Sequence, residues 1–359
     1  MAGCGRSKRN WLPLAHVLWE LTVSARGRTK SDINRRFVKE EYAMSEMEAE
    51  NRKAARKKVK FTDSIFFIIV IMMLLYVGVC SSLVKLVVML IDPLLVSGGV
   101  SEALIFIIEK YLVRIIPFIG IILFTGLVKG NRFIYNSFAM NYENNGFKAL
   151  FLGLLIGFFM NGVCVLAAVI HGDIKLSFGF TLSQLPIILF ALVCVFIQSA
   201  SEEMWYRGFL YERIHANYPL WLAIIMSGLI FGFGHMFNNG VSILAVIDIM
   251  VIGLAFAMAK WQSRSIWLLF GIHTGWNFMQ NFFFGLPNSG VVSGVSVFRL
   301  DAVNTSGKLF YDTTFGIEGA VSTLIIGLLL ALVSFALAFK SGRLAELRER
   351  SGQPTNKAL

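Results

Sequence analysis

The chain has 359 residues, 56% of them hydrophobic and 15% charged, against roughly 25% charged residues in average soluble domains. That balance, with apolar runs long enough to cross a bilayer at about 20 residues each, excludes an ordinary soluble domain and predicts an all-α polytopic membrane protein. The formal net charge of +11 is unevenly placed, and too few aromatics accompany it to suggest a nucleic-acid partner.

Residues 1–64 hold 15 Lys and Arg against 8 Asp and Glu and lack a sustained apolar face. They read as a solvated, basic, disordered cytoplasmic tail. Its last cations, Arg52, Lys53, Arg56, Lys57, Lys58 and Lys60, are placed to meet anionic headgroups of the lipid bilayer. Met44 offers a second start, so residues 1–43 need not belong to the native chain. No secretory signal is evident, because the first long apolar run begins after residue 64.

Eight apolar runs follow, at 65–90, 112–128, 149–170, 184–206, 220–238, 242–260, 266–286 and 319–340. In hydrocarbon each must satisfy its backbone internally, so each is expected as a helix. They make up a helical domain over 65–340, followed by a short cytoplasmic tail over 341–359. The segment 287–318, rich in Gly, Ser, Asn and Asp, is the longest loop. Cys80, Cys164 and Cys194 lie in apolar runs and read as small buried residues; with Cys4 they show no metal-ligand spacing.

Lys129, Arg132, Lys148, Arg207, Arg213, Lys260 and Arg264 fall in alternate loops. Under the positive-inside rule both termini are then cytoplasmic. Lys110 and Arg114, at the start of the second run, break the pattern, and with Glu109 they suggest a helix lying on the surface.

Ionisable residues inside spans mark function by default. Glu202-Glu203 and Arg207 close the fourth run, and the i,i+4 spacing lets Glu203 meet Arg207 while Glu202 points roughly 100° away. Phe231 and His235 share a face in the fifth run, and His273 and Asn277 share one in the seventh. A buried Glu suits a general base, and imidazoles position water or join Glu202, His235 and His273 as zinc ligands. Asn and His side chains can donate to an oxyanion. Asp248 reads as bonding a neighbouring helix or lining the cavity, Lys85 as reaching a polar neighbour or the interface, and Gly228, Gly232 and Gly234 as permitting close helix approach.

The ordered set Glu-Glu-x-x-x-Arg, Phe-x-x-x-His and His-x-x-x-Asn resembles the type II CAAX prenyl endopeptidases and their bacterial relatives, the CAAX protease and bacteriocin-processing family. The resemblance covers about residues 150–290, and the texture around the motifs is closer to the prokaryotic branch. It implies an intramembrane protease of a prokaryotic plasma membrane acting on a membrane-anchored peptide or protein. It also implies that Glu202 and His235 activate water and that His273 and Asn277 hold the oxyanion. Glu203, Arg207 and Phe231 support them, through either a metal or a metal-independent glutamate mechanism. An ion-coupled transporter and a catalytically silent immunity or scaffold relative are the competing readings. If the fourth helix runs on to about Glu212, the four groups converge on one polar pocket, expected to open to the cytoplasmic side.

Overall fold

A computed structural model describes residues 59–305, 307–349 and 351; the basic segment 1–58 and the end of the C-terminal tail lie outside the described residues. The elements are α1 (Ile65–Ser97), α2 (Glu102–Leu127), α3 (Lys129–Ser137), α4 (Phe147–His171), β1 (Ile174–Phe178), α5 (Leu182–His215), α6 (Leu220–Gly234), α7 (Ile243–Ser263), α8 (Ile266–Phe278), β2 (Phe298–Val303) and α9 (Val321–Lys340).

Every apolar run becomes helical, but five helices are long and apolar enough to cross a membrane, or six when the bent pair α2 and α3 counts as one span. The eight crossings expected from the sequence therefore are not reached by length and composition. The 15-residue α6 spans only about 22 Å at 1.5 Å per residue, and α8 passes after 13 residues into a wide π-helical turn, Met279–Phe283. The fold is mostly helical rather than wholly so. β1 and β2 pair antiparallel, with an irregularity between Lys175 and Leu176, and tie the α4–α5 connection to the segment after α8.

Local chemistry sets several helix ends. Ser242 and Ser265 accept the N–H of Ala245 and Leu268 and start α7 and α8. Gly172, in the left-handed region at φ 87°, stops α4. Both ends of the described chain meet the α5–α6 corner. Arg213 Nη2 donates to Asp63 Oδ1 at 2.7 Å, and the Leu220 N–H donates to the Glu349 carbonyl. The turns before α4, between α5 and α6, and between α7 and α8 lie at that end of the bundle. The sheet and the α6–α7 loop lie at the other.

Two facing glycine pairs bring α4 and α8 together. A Cβ on Gly153 or Gly157 would overlap the backbone of Leu268 or Ile272, and one on Gly271 or Gly275 would overlap that of Leu150 or Leu154. Two small-x-x-x-small stripes thus let the backbones touch, as in close transmembrane crossings. Gly228 and Gly232 meet α7 at Leu254 and Met250, as expected, whereas Gly234 meets the Tyr206 hydroxyl on α5.

Candidate functional site

The fourth helix does not end at Glu202. α5 runs on to His215 through a π-helical stretch, Met204–Leu210, because Trp205, Phe209 and Leu210 continue its apolar burial. This extension puts Glu202 in the middle of α5 rather than at an end. π segments recur at functional sites, and this one directly follows the paired carboxylates.

The two carboxylates separate as the helical geometry predicts. Glu203 is fully buried, and its Oε1 accepts from Arg207 Nη1 at 3.0 Å. The guanidinium is also fully buried. Its Nη2 donates to the Gly253 carbonyl at 3.0 Å, and it lies 4.2 Å from the centre of the Phe231 ring. The same Glu203 Oε1 lies 2.9 Å from His273 Nδ1. A carboxylate paired with a guanidinium only accepts, so His273 donates from Nδ1 and turns Nε2 toward Glu202, whose Oε2 is 3.8 Å away. That gap is too long for a direct hydrogen bond and suits a shared water.

Glu202 is held from its other side. Gln198 Nε2 donates to Glu202 Oε1 at 2.6 Å, and Asn277 Nδ2 donates to Gln198 Oε1 at 3.0 Å. This chain assigns both amides and leaves the second N–H of Asn277 available. His235 stands at the end of α6, where Nδ1 lies 2.8 Å from the Phe231 carbonyl. A carbonyl only accepts, so His235 donates there and keeps a lone pair on Nε2. Glu202, His235, His273 and Asn277 all line one cavity of about 640 Å³.

The cavity extends to one end of the bundle. Its lining includes Phe237, Asn238 and Asn239 from the α6–α7 loop and Asn288, Ser289 and Val291 after α8. These belong to the end of the bundle opposite the basic turns. Lys110 and Arg114 are not on a separate surface helix. They sit within α2 and line the cavity, as does Lys85 from α1. Asp248 also lines it, and neither of its carboxylate oxygens has a hydrogen-bond partner, so of its two readings the cavity one holds and the bond to a neighbouring helix is not formed. Glu318, in the segment before α9, closes another side. It accepts from Trp276 Nε1 at 3.2 Å and from the Ser289 N–H at 2.6 Å, while burial pushes its carboxyl above the usual range.

Sequence reasoning missed Gln198 and Glu318. Gln198 had a signal, since it lies one turn before Glu202 in an apolar run; Glu318 lay in a loop with none. The proposed metal donors Glu202, His235 and His273 do not form a ligand set here. Among the described residues no group of three or more His, Cys, Asp or Glu is placed to hold a metal ion. His273 Nδ1 and His235 Nδ1 are both committed to protein acceptors, which leaves Nε2 of each as the nitrogen that would meet a metal.

Apolar helices long enough to cross a membrane, with a carboxylate, two imidazoles and a carboxamide lining one cavity, define an integral membrane protein with a polar internal site. Residues 184–279, which span all three motifs, match the family model described as type II CAAX prenyl endopeptidase Rce1-like, so this segment resembles that family as the motifs imply. The chain is also 31% identical over 174 residues to Uncharacterized protein YyaK of Bacillus subtilis (strain 168), an alignment covering 46% of this chain and 55% of that protein. The chain thus spans about half the length of the curated relative it matches. No solved structure matches it.

Proposed function

We propose that this chain is an intramembrane endopeptidase that hydrolyses a peptide bond in a membrane-associated protein or peptide. The observation that carries the reading is the meeting of Glu202, His235, His273 and Asn277 at one cavity, from three different helices and helix ends. The family match over 184–279 supports a protease of the CAAX type.

In this mechanism a water lies between Glu202 and the free Nε2 of His235. Glu202 takes a proton from it as the hydroxyl oxygen attacks the scissile carbonyl carbon. The oxyanion that forms receives the free N–H of Asn277, and Nε2–H of His273 when that ring is protonated, donors worth about 3 kcal/mol each. Glu202 then returns the proton to the leaving nitrogen, the C–N bond breaks, and a carboxylic acid and an amine depart. Arg207 and Glu203 do not touch the substrate; they orient His273. Gln198 orients Glu202 and Asn277.

On this reading α6 and α8 complete eight passes. The basic turns and both termini face the cytoplasm of a prokaryotic cell, and the cavity mouth faces away from it. The test is cleavage of membrane-anchored peptides by the purified protein, with and without a chelator, beside Glu202→Ala. Cleavage lost in Glu202→Ala and kept with chelator supports the mechanism as written. Chelator-sensitive cleavage replaces it with a metal-dependent one. Equal cleavage by both proteins sinks the role of Glu202.

A further inference from the structure

The proposed chemistry leaves three cations at the cavity without a role. Lys85 on α1 and Lys110 and Arg114 on α2 line it beside the catalytic groups. Val77, Ser81 and Lys85 line it at i, i+4 and i+8, so a single face of α1 forms the wall. Among the described residues none of the three cations has a carboxylate within 4.0 Å, and no side-chain hydrogen bond engages them. Lys85 and Lys110 are exposed and Arg114 is half-buried.

Three cations within apolar helices, unpaired among the described residues, are costly unless they face water or a ligand. Here they line the same cavity as Glu202. An anion entering it is drawn to the α1–α2 wall and repelled from Glu202. A polypeptide with acidic residues would therefore lie with those residues against the cations and an uncharged stretch against Glu202.

We propose that Lys85, Lys110 and Arg114 dock an acidic segment, Asp or Glu side chains, of a membrane-bound polypeptide a few residues from the bond presented to Glu202. The wall faces the cavity shared with Glu202, so an occupant that meets all three cations has entered the site itself. A phospholipid headgroup held on the outer surface would not. Cleavage after docking rests on the protease reading, whereas docking itself can be read separately.

The test uses full-length Glu202→Gln protein in neutral phosphatidylcholine vesicles and a fluorescent transmembrane peptide flanked by Asp residues, beside its Asn counterpart. The Asp peptide should bind more tightly by roughly fivefold per cation engaged, the scale of one charge pair in water, with the difference collapsing as salt screens it. Lys85→Gln, Lys110→Gln and Arg114→Gln together should erase the preference. Lys85→Glu with Lys110→Glu should transfer it to a Lys-flanked peptide, a gain that a misfolded protein cannot produce. Equal binding of Asp and Asn peptides overturns the proposal, as does a preference that survives the Gln variants. A preference seen only with phosphatidylglycerol vesicles, with headgroup binding lost in the Gln variants, assigns the wall to lipid and also overturns it. Cleavage by the unsubstituted protein is read in parallel. Asp preference in binding with no cleavage of either peptide leaves docking standing and sinks the protease reading; equal binding with cleavage of both does the reverse.

Discussion

Arg207 and Glu203 form an ion pair at 3.0 Å with both side chains fully buried. Removing two charges from water costs several kcal/mol per ion, so the pair is a poor source of net stability, but breaking it by truncating one partner costs about 3–5 kcal/mol. Arg207→Met should therefore destabilise the protein on that scale and leave Glu203 uncompensated beside His273. Glu203→Leu with Arg207→Met should recover part of the stability and none of the activity, because His273 loses the acceptor that orients it. Thermal melts in detergent together with peptide cleavage read both effects. Activity retained in the double variant would remove the positioning role.

Gln198 bridges Glu202 and Asn277 through bonds of 2.6 and 3.0 Å. Gln198→Leu keeps the apolar face of α5 and removes both bonds. The melting temperature should change little, while kcat falls by up to about a hundredfold, the cost of a catalytic group displaced by about an ångström. KM should move less than kcat, because Gln198 acts through its two neighbours. A rise in KM alone would mean that Gln198 contacts substrate instead.

Much of this site was legible in the sequence because helical spacing is a strong constraint. Glu203 with Arg207, and His273 with Asn277, fall at i,i+4 and could be assigned to shared faces without coordinates. The continuation of α5 could be read from Phe209 and Leu210. What could not be read depends on contacts between distant segments. Gly153, Gly157, Gly271 and Gly275 look like ordinary small residues until α4 and α8 are seen to cross on them. Lys110 and Arg114 looked misplaced because a charge rule assigns residues to one side of a membrane or the other, and has no category for a cavity wall. The pairing of β1 with β2 was hidden because their partners lie more than a hundred residues apart.

The α4–α8 crossing gives a direct test of how the bundle sets the site. His273 lies between Gly271 and Gly275 on the opposite face of α8, so any widening of that contact shifts the imidazole relative to Glu203. Gly271→Ala would overlap the Leu150 carbonyl and should cost about 1–3 kcal/mol, the usual range for overpacking. Gly162→Ala, on the same α4 with open space around the added Cβ, is the control and should be neutral or slightly stabilising. Cleavage should fall in the first variant and hold in the second. Equal losses would show that helix propensity, not the crossing, decides the outcome.

Asp312 anchors the segment between β2 and α9. Its Oδ1 accepts from the N–H groups of Thr314 and Phe315 at 2.8 and 2.9 Å, and Lys308 Nζ lies 2.6 Å from Oδ2. Burial pushes the carboxyl up, but these partners outweigh burial and hold it below the usual carboxylate range. A depressed folded value means that its stabilisation is fully present above the unfolded value of about 3.9 and is lost as pH falls through the folded one. Asp312→Asn should lower stability at neutral pH by about 1–3 kcal/mol and flatten the acid limb of the stability profile. Melting temperatures from about pH 3 to 7 check this; parallel acid limbs in the two proteins would contradict it.

The position of the mouth is the prediction with the widest reach. Asn239 is exposed in the α6–α7 loop and lines the cavity, whereas Gln262 lies at the end of α7 beside the basic turn. The excess of Lys and Arg at the α7–α8 end puts that end in the cytoplasm under the positive-inside rule. In a background with the native cysteines replaced, Asn239→Cys in intact cells should react with a membrane-impermeant maleimide added outside. Gln262→Cys should react only after the cells are opened. Substrate would then reach Glu202 from the outer end of the bundle, and Phe237, 93% exposed in the same loop, would stand at the threshold. The reverse labelling pattern would turn the whole bundle over, put the mouth in the cytoplasm and make this chain an exception to the charge rule.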